Sequence, residues 1–312
     1  MTTRLQEHAP TGHVPAGPEK LTVREWGAAL KRSFREFLDD DCMGLSQQIA
    51  YSSLLAFFPA VVFLVGLLGL VNAYDALREF LSPVAPGEVT KMIDQLEEDS
   101  SGGASVVAFL VGAAGAVWAA SGAMNAIIKA VNRTQDRLET RPFWKVRLIA
   151  IVLVVLSGLV TASLLFAIVL GGPLGSAIAD RVGLGGAFEL VWNIARWPAA
   201  FLVILLFFAL VYYMAPNNDQ RSWRWISPGS LVGGALWLAI SALFALYTSF
   251  SDSYTKTYGS LVGGIVLLLW LNYSAFALLF GAELNAELDR QADIRAAGGP
   301  RAGLVKPARR SE

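Results

Sequence analysis

Residues 148–179 read LIAIVLVVLSGLVTASLLFAIVLGGPLGSAIA, 32 positions without one Asp, Glu, Lys or Arg. A helix needs about 20 apolar residues, at ~1.5 Å of rise each, to cross the hydrocarbon of a bilayer. Helices buried in soluble proteins average about 11–12 residues. Within the run, Ile149–Leu156 (IAIVLVVL) shows no alternation, whereas a strand of a membrane barrel alternates over ~10-residue segments. Lipid offers no partner to an unpaired backbone group, so the run is read as a membrane-spanning helix.

Five more charge-free stretches flank it: Cys42–Tyr74, Ser100–Ile128, Trp197–Asn218, Trp225–Ser251 and Thr257–Ala282. They place spans at about 45–71, 104–129, 148–170, 197–214, 226–249 and 259–282. Of the 312 residues, 54% are hydrophobic and only 16% are charged; soluble domains carry roughly 25% charge. The predicted fold is all-α: a polytopic membrane protein, a six-transmembrane-helix bundle with amphipathic interfacial helices. A soluble enzyme is excluded on this reading.

The net charge is zero, yet the charges are ordered along the chain. With the odd loops outside, 20 Lys and Arg lie on the inner side and 5 on the outer. The positive-inside rule then puts both termini in the cytoplasm. The first outer loop holds Asp75, Glu79, Glu88, Asp94, Glu97, Glu98 and Asp99. Val89, Met92, Ile93 and Leu96 recur there at helical spacing, as on a short amphipathic helix. The first apolar run is too long for a cleavable signal segment.

Residues 1–20 are rich in Pro, Gly and Thr and are expected to be a disordered leader. The membrane domain covers 21–290, and the polar, basic residues 291–312 are expected to form a disordered tail. Thr22–Glu25 has the capping-box pattern. Val23, Trp26, Leu30, Phe34 and Phe37 follow at helical spacing among Arg24, Lys31, Arg32 and Arg35. This is an amphipathic helix, lying on the inner membrane surface or docked against a cytoplasmic loop. In span one, Pro59 cannot donate to the carbonyl of Leu55, so a kink is expected. Span two is crowded with small residues from Gly112 to Ala123, which let backbones approach closely and place it mid-bundle. Spans three and four, mostly aliphatic, are read as peripheral. GSLVGG occurs twice, at 229–234 and 259–264, an echo of the inverted repeats of transporters or of ordinary helix-start composition.

Polar groups inside lipid are costly, so each asks for a reason. Asn272 and Glu283 share nearly one face of span six, and Glu287 extends that stripe by a turn. Asn125, Lys129 and Asn132 share a face of span two. Gln47 pairs with Tyr51, and Gln48 with Ser52, at i, i+4 in span one. Three helices thus bring polar stripes to the cytoplasmic half of the bundle. They form either a cavity for a head group or solute, with Lys129 and Glu283 as its ionisable members, or a set of interhelical hydrogen bonds worth roughly 1 kcal/mol each. Asp39, Asp40 and Asp41 could bind a divalent cation; the expectation is that they are solvated. The basic loop of Arg133, Arg137, Arg141, Lys145 and Arg147 suits anionic lipid. It lacks the exposed stacking platform that nucleic acid would need, and Phe143 and Trp144 read as interfacial anchors.

No catalytic set is legible. His8 and His13 are the only histidines and Cys42 the only cysteine, so no core histidine base, no disulfide and no multi-cysteine metal site exists. Neither GxxxxGK[ST] nor HExxH occurs. No cofactor and no metal is expected.

Several segments carry a family resemblance: Ala50–Leu55 (AYSSLL) with Pro59, Glu139–Lys145 (ETRPFWK), Ala215–Asn217 (APN), Trp223–Gly229 (WRWISPG), Tyr258–Leu261 (YGSL), Leu267–Leu271 (LLLWL) and Phe280–Glu287 (FGAELNAE). Over roughly residues 30–290 the chain resembles the YihY/virulence factor BrkB family of bacterial inner-membrane proteins, earlier labelled ribonuclease BN-like. The resemblance implies six membrane helices, a plasma-membrane location and a role in the cell envelope, with export or flipping of lipid-like molecules as the suggested activity. Glu283, Asn285 and Glu287 fall in its GAELNAE segment; Asn272 stands where many members carry another residue. The ribonuclease label implies a histidine- and metal-rich site that this sequence lacks. A transporter or lipid translocator is therefore expected, acting on an anionic lipid or lipid-like substrate by alternating access. An envelope scaffold is the other reading, and a homo-oligomer is compatible with both.

Overall fold

The computed structural model describes residues 23–70, 103–165, 185–217, 227–249 and 260–296. Every element among them is a helix: α1 Val23–Asp39, α2 Cys42–Leu70, α3 Gly103–Thr134, α4 Phe143–Leu165, α5 Gly185–Met214, α6 Pro228–Ser249 and α7 Ser260–Ala296. Five of them, α3 to α7, are long and apolar enough to cross a membrane by length and composition. The first expected span corresponds to α2, whose 29 residues would reach about 43 Å; several of its later side chains lie outside the described residues. The chain is thus an all-α polytopic membrane protein. The acidic outer loop, the leader and the segment after Ala296 also lie outside the described residues.

Helix α7 is the hub and packs against α6, α2, α1 and α3. Helix α3 lies along α2 and also touches α4, as its small residues require. Gly112 sits against the backbone of Phe63, and Gly115 against Pro59. Helix α2 runs unbroken through Pro59, whose ring lies against the bare backbone of Gly115. Outward faces are apolar, as lipid demands: Leu148, Val155 and Leu159 of α4 are all exposed.

Three boundaries differ from expectation. Helix α5 begins at Gly185, well before the expected span, and carries Pro198 inside it. Helix α7 continues past 282 to Ala296, so residues 291–296 are helical rather than tail. The two GSLVGG copies also sit differently. Gly229, Gly233 and Gly234 each approach a neighbouring helix, whereas Gly263 and Gly264 face open space.

Candidate functional site

The turns between α1 and α2 and between α3 and α4, and the first turn of α6, meet the last turns of α7 at one end of the bundle. Two larger polar assemblies and one smaller one form there.

The first is a knot of backbone and side-chain bonds. Asn132 donates to Glu139 (2.9 Å) and accepts from the backbone N–H of Asn217 (2.7 Å). The Asn217 amide donates to Leu138 O and Thr140 Oγ1, both at 2.8 Å. Arg141 pairs with Glu139 and donates to Ala215 O at 2.8 Å. Arg147 lies over the Trp118 ring, 4.0 Å from its centroid, and donates to the Trp118 carbonyl. The ETRPFWK and APN segments therefore tie three helices together. Arg133, Arg137, Arg141 and Arg147 of the basic loop each bond within the protein, while Arg133 and Arg137 stay exposed.

A smaller knot holds α6. Ser227 and Ser230 cap its first turn reciprocally, with Pro228 at the first helical position. Asn285 accepts from Gly229 N–H and donates to Ser227 Oγ, each at 2.9 Å. Asn285 is thus a structural residue of the GAELNAE segment.

Partial burial raises the Glu139 carboxyl, but the hydrogen bonds and charge of Arg141 and the amide of Asn132 outweigh it, so its pKa lies below the ordinary value. A carboxylate depressed on folding stabilises the fold above its unfolded pKa, and that contribution is lost as pH falls through the folded value. Acidification below the ordinary carboxylate range is therefore expected to loosen the 132–141 turn. The protection of its amides against hydrogen exchange, relative to the intrinsic rate at each pH, should fall there, and Glu139→Gln should abolish that fall.

The second assembly lies between α1 and α7. Helix α1 docks on α7 through Ala29, which packs with Leu284 and Leu288, and through Phe37, which meets Phe276 and Phe280 at ring-centroid distances of 4.4 and 6.0 Å. Arg32 forms an ion pair with Glu287, which also accepts from Arg290 (3.1 Å) and Gln291 (2.8 Å). Arg290 reaches on to Asp136 and Glu36, and Arg133 reaches Asp40. Burial pushes the Glu36 carboxyl above its ordinary range; Arg290 pulls it back, while Asp40, Glu287 and Asp39 push it further up. The outer face of α1 keeps Leu30, Phe34 and Leu38 exposed beside Lys31 and Arg35. The helix thus has a docking face and, next to it, an apolar stripe with a basic edge.

Glu283 lies under this helix at 1% exposure. Glu36, Asp40, Glu287 and Arg290 are all within electrostatic reach of it, as is Cys42. Its Oε2 is buried and has no hydrogen-bond partner among the described residues. Such an atom costs about 1–3 kcal/mol, and more if charged.

Of the other candidates, Glu287 joins Glu283. Gln47, Gln48, Tyr51 and Lys129 are exposed on the outer faces of α2 and α3 and do not converge on it. Asn125 is half-buried in α3. Asn272 stands apart at mid-length of α7, with a buried Oδ1 that has no partner among the described residues. Asp40, expected to be solvated, is 6% exposed and paired with Arg133. Among the described residues no group of three His, Cys, Asp or Glu could hold a metal ion. Glu36 and Arg290 escaped the sequence reading, and Arg32 and Asp40 entered it only as a charge of the amphipathic helix and a member of a solvated acidic run. The one available signal was the matched register of Arg32, Glu36 and Asp40 along α1 with Glu283, Glu287 and Gln291 along α7.

A bundle of apolar helices with a charged, covered cluster at one end defines an integral membrane protein whose buried ionisable groups lie beside an amphipathic helix. The chain belongs to the family described as virulence factor BrkB, whose sequence model matches residues 33–304. It is similar to YfkH of Bacillus subtilis, a ribonuclease-like protein by name, with 31% identity over 84% of this chain and 95% of that one. It is also similar to a UPF0761 membrane protein of Xanthomonas campestris, with 25% identity over 86% of this chain and 63% of that one. A 99-residue stretch is 28% identical to a UPF0761 membrane protein of Idiomarina loihiensis, covering 32% of this chain and 34% of that relative. No solved structure matches.

Proposed function

We propose that this protein is a transporter of the cell envelope that translocates lipid or lipid-like molecules and performs no covalent chemistry. It sits in the bacterial plasma membrane with both termini in the cytoplasm, as the 20-to-5 distribution of basic residues supports. The observation that carries the reading is the buried Glu283 carboxyl, whose Oε2 lacks a partner among the described residues. A scaffold gains nothing from holding such a group away from water, whereas a transporter needs a polar group that a moving ligand can satisfy. Substrate reaches the Glu283 cluster from the polar end, and alternating access moves it without an ATP site. The ribonuclease-like name of the Bacillus relative belongs to that protein; here no histidine stands in the spans to act as a base.

The test is lipid movement in proteoliposomes made with the purified protein and fluorescent anionic and zwitterionic lipids. Translocation above that of empty liposomes is expected. Folded protein that moves no lipid removes this reading and leaves a scaffold that recruits partners.

A further inference from the structure

The α1–α7 interface leaves three buried polar atoms without partners among the described residues: Glu283 Oε2, Gln291 Oε1 and Arg32 Nη2. Glu283 Oε2 is an acceptor, and Arg32 Nη2 is a donor. Arg32 is anchored on Glu287. Glu287 follows Glu283 by four residues on the same helix, roughly 6 Å along the axis. The acceptor-bearing residue and the residue that anchors the donor are therefore one helical turn apart on α7, on the scale of a phosphoethanolamine group. The charge balance favours a cation at the Glu283 end: Glu36, Asp40, Glu283 and Glu287 face Arg32, Arg133 and Arg290.

Resting on the translocator reading, we propose that this site takes a zwitterionic phospholipid head group, with a primary ammonium on Glu283 and the phosphate on Arg32. The N–H bonds of an ammonium satisfy Oε2 directly, and a charge-assisted bond in a water-poor site is among the stronger polar contacts. A choline head group has the same charge but no N–H to donate. A glycerol head group has no cation at all.

Helix α1 covers the site, so entry requires it to move. The chain breaks between α1 and α2 at Asp41, whose φ of 55° is a left-handed conformation uncommon for a residue with a side chain. Beyond that turn, α1 is held mainly by α7, through the Ala29 and Phe37 contacts and the Arg32–Glu287 pair. Its exposed stripe of Leu30, Phe34 and Leu38, edged by Lys31 and Arg35, gives it an apolar face to set on a lipid surface.

The experiment compares translocation of fluorescent lipids with ethanolamine, choline and glycerol head groups by the full-length protein and by Glu283→Gln. Ethanolamine lipid is expected to move about tenfold faster than choline lipid, and the variant to lose that preference. Soluble ethanolamine, added as competitor, is expected to slow lipid movement only weakly, because it lacks the phosphate that Arg32 holds. Strong competition would assign the site to free amines and overturn the lipid assignment. Equal rates for all three lipids would overturn the head-group proposal while leaving the translocator reading intact. No movement of any lipid would remove the translocator reading itself. Unaltered thermal unfolding of Glu283→Gln in detergent keeps a folding defect from mimicking the loss, and a variant that retains the preference overturns the proposal.

Discussion

Glu287→Ala is expected to undock α1. The substitution leaves Arg32, whose side chain is 13% exposed, without its partner and deprives Arg290 and Gln291 of an acceptor. Removing one member of a buried pair is strongly destabilising, here about 3 kcal/mol, because the remaining charge stays in a low-dielectric site. That corresponds to amide exchange of residues 23–39 accelerating by on the order of a hundredfold. Arg32→Ala should cost less, because Glu287 keeps Arg290 and Gln291. Exchange of α1 that is indifferent to Glu287→Ala would show that the apolar contacts of Ala29 and Phe37 hold the helix unaided.

Gly281→Ala should damage the bundle itself. A Cβ there would strike the Tyr212 hydroxyl and the Gly229 carbonyl, and one on Gly229 would strike the Gly281 carbonyl and Asn285. Helices α6 and α7 cross at these two glycines. Parting them strains the bonds from Tyr212 to Leu278 O (2.7 Å) and from Gly229 to Asn285 (2.9 Å). Overpacking of this kind costs about 1–3 kcal/mol, and each lost hydrogen bond adds about 1 kcal/mol. A clear fall in thermal midpoint in detergent is expected for Gly281→Ala and for Gly229→Ala. Gly263→Ala and Gly264→Ala, in the second GSLVGG copy, meet nothing within 4 Å. They should leave the midpoint unchanged or raise it slightly, since Ala is favoured over Gly in a helix by about 1 kcal/mol.

The contrast between the two copies marks what a linear sequence can convey. Charge-free runs announce membrane helices because lipid penalises any charge along the whole span. The composition of α3 likewise announced a close approach, seen at Gly112 and Gly115. In the second GSLVGG, identical in letters, Gly263 and Gly264 face open space, because packing depends on neighbours that the local pattern does not name.

The site was legible only in part, for the same reason. Glu283 and Glu287 stood out as acids adjoining an apolar run. Their surroundings did not, since Arg32 and Glu36 lie on a helix, and Asp40 in the turn after it, whose charges read equally well as solvated. Burial of Asp40 rests on Arg133, a residue distant in the chain. Gln47, Gln48, Tyr51 and Lys129 share a depth with the cluster but not a direction. Periodicity gives the face of each helix, and only packing decides whether that face turns inward. The end of the last helix was missed because Glu287, Arg290 and Gln291 resemble a solvated tail until α1 is laid against them.

The account rests on Glu283 being a working group rather than a buried remnant. The most direct measurement is the rate of lipid translocation in proteoliposomes by wild-type protein and by Glu283→Gln, with thermal unfolding of both followed in detergent. Loss of one charge-assisted contact corresponds to a fall of about tenfold or more, and that fall is expected with an unchanged unfolding midpoint. Equal rates for the two proteins would contradict the account and make Glu283 a structural residue.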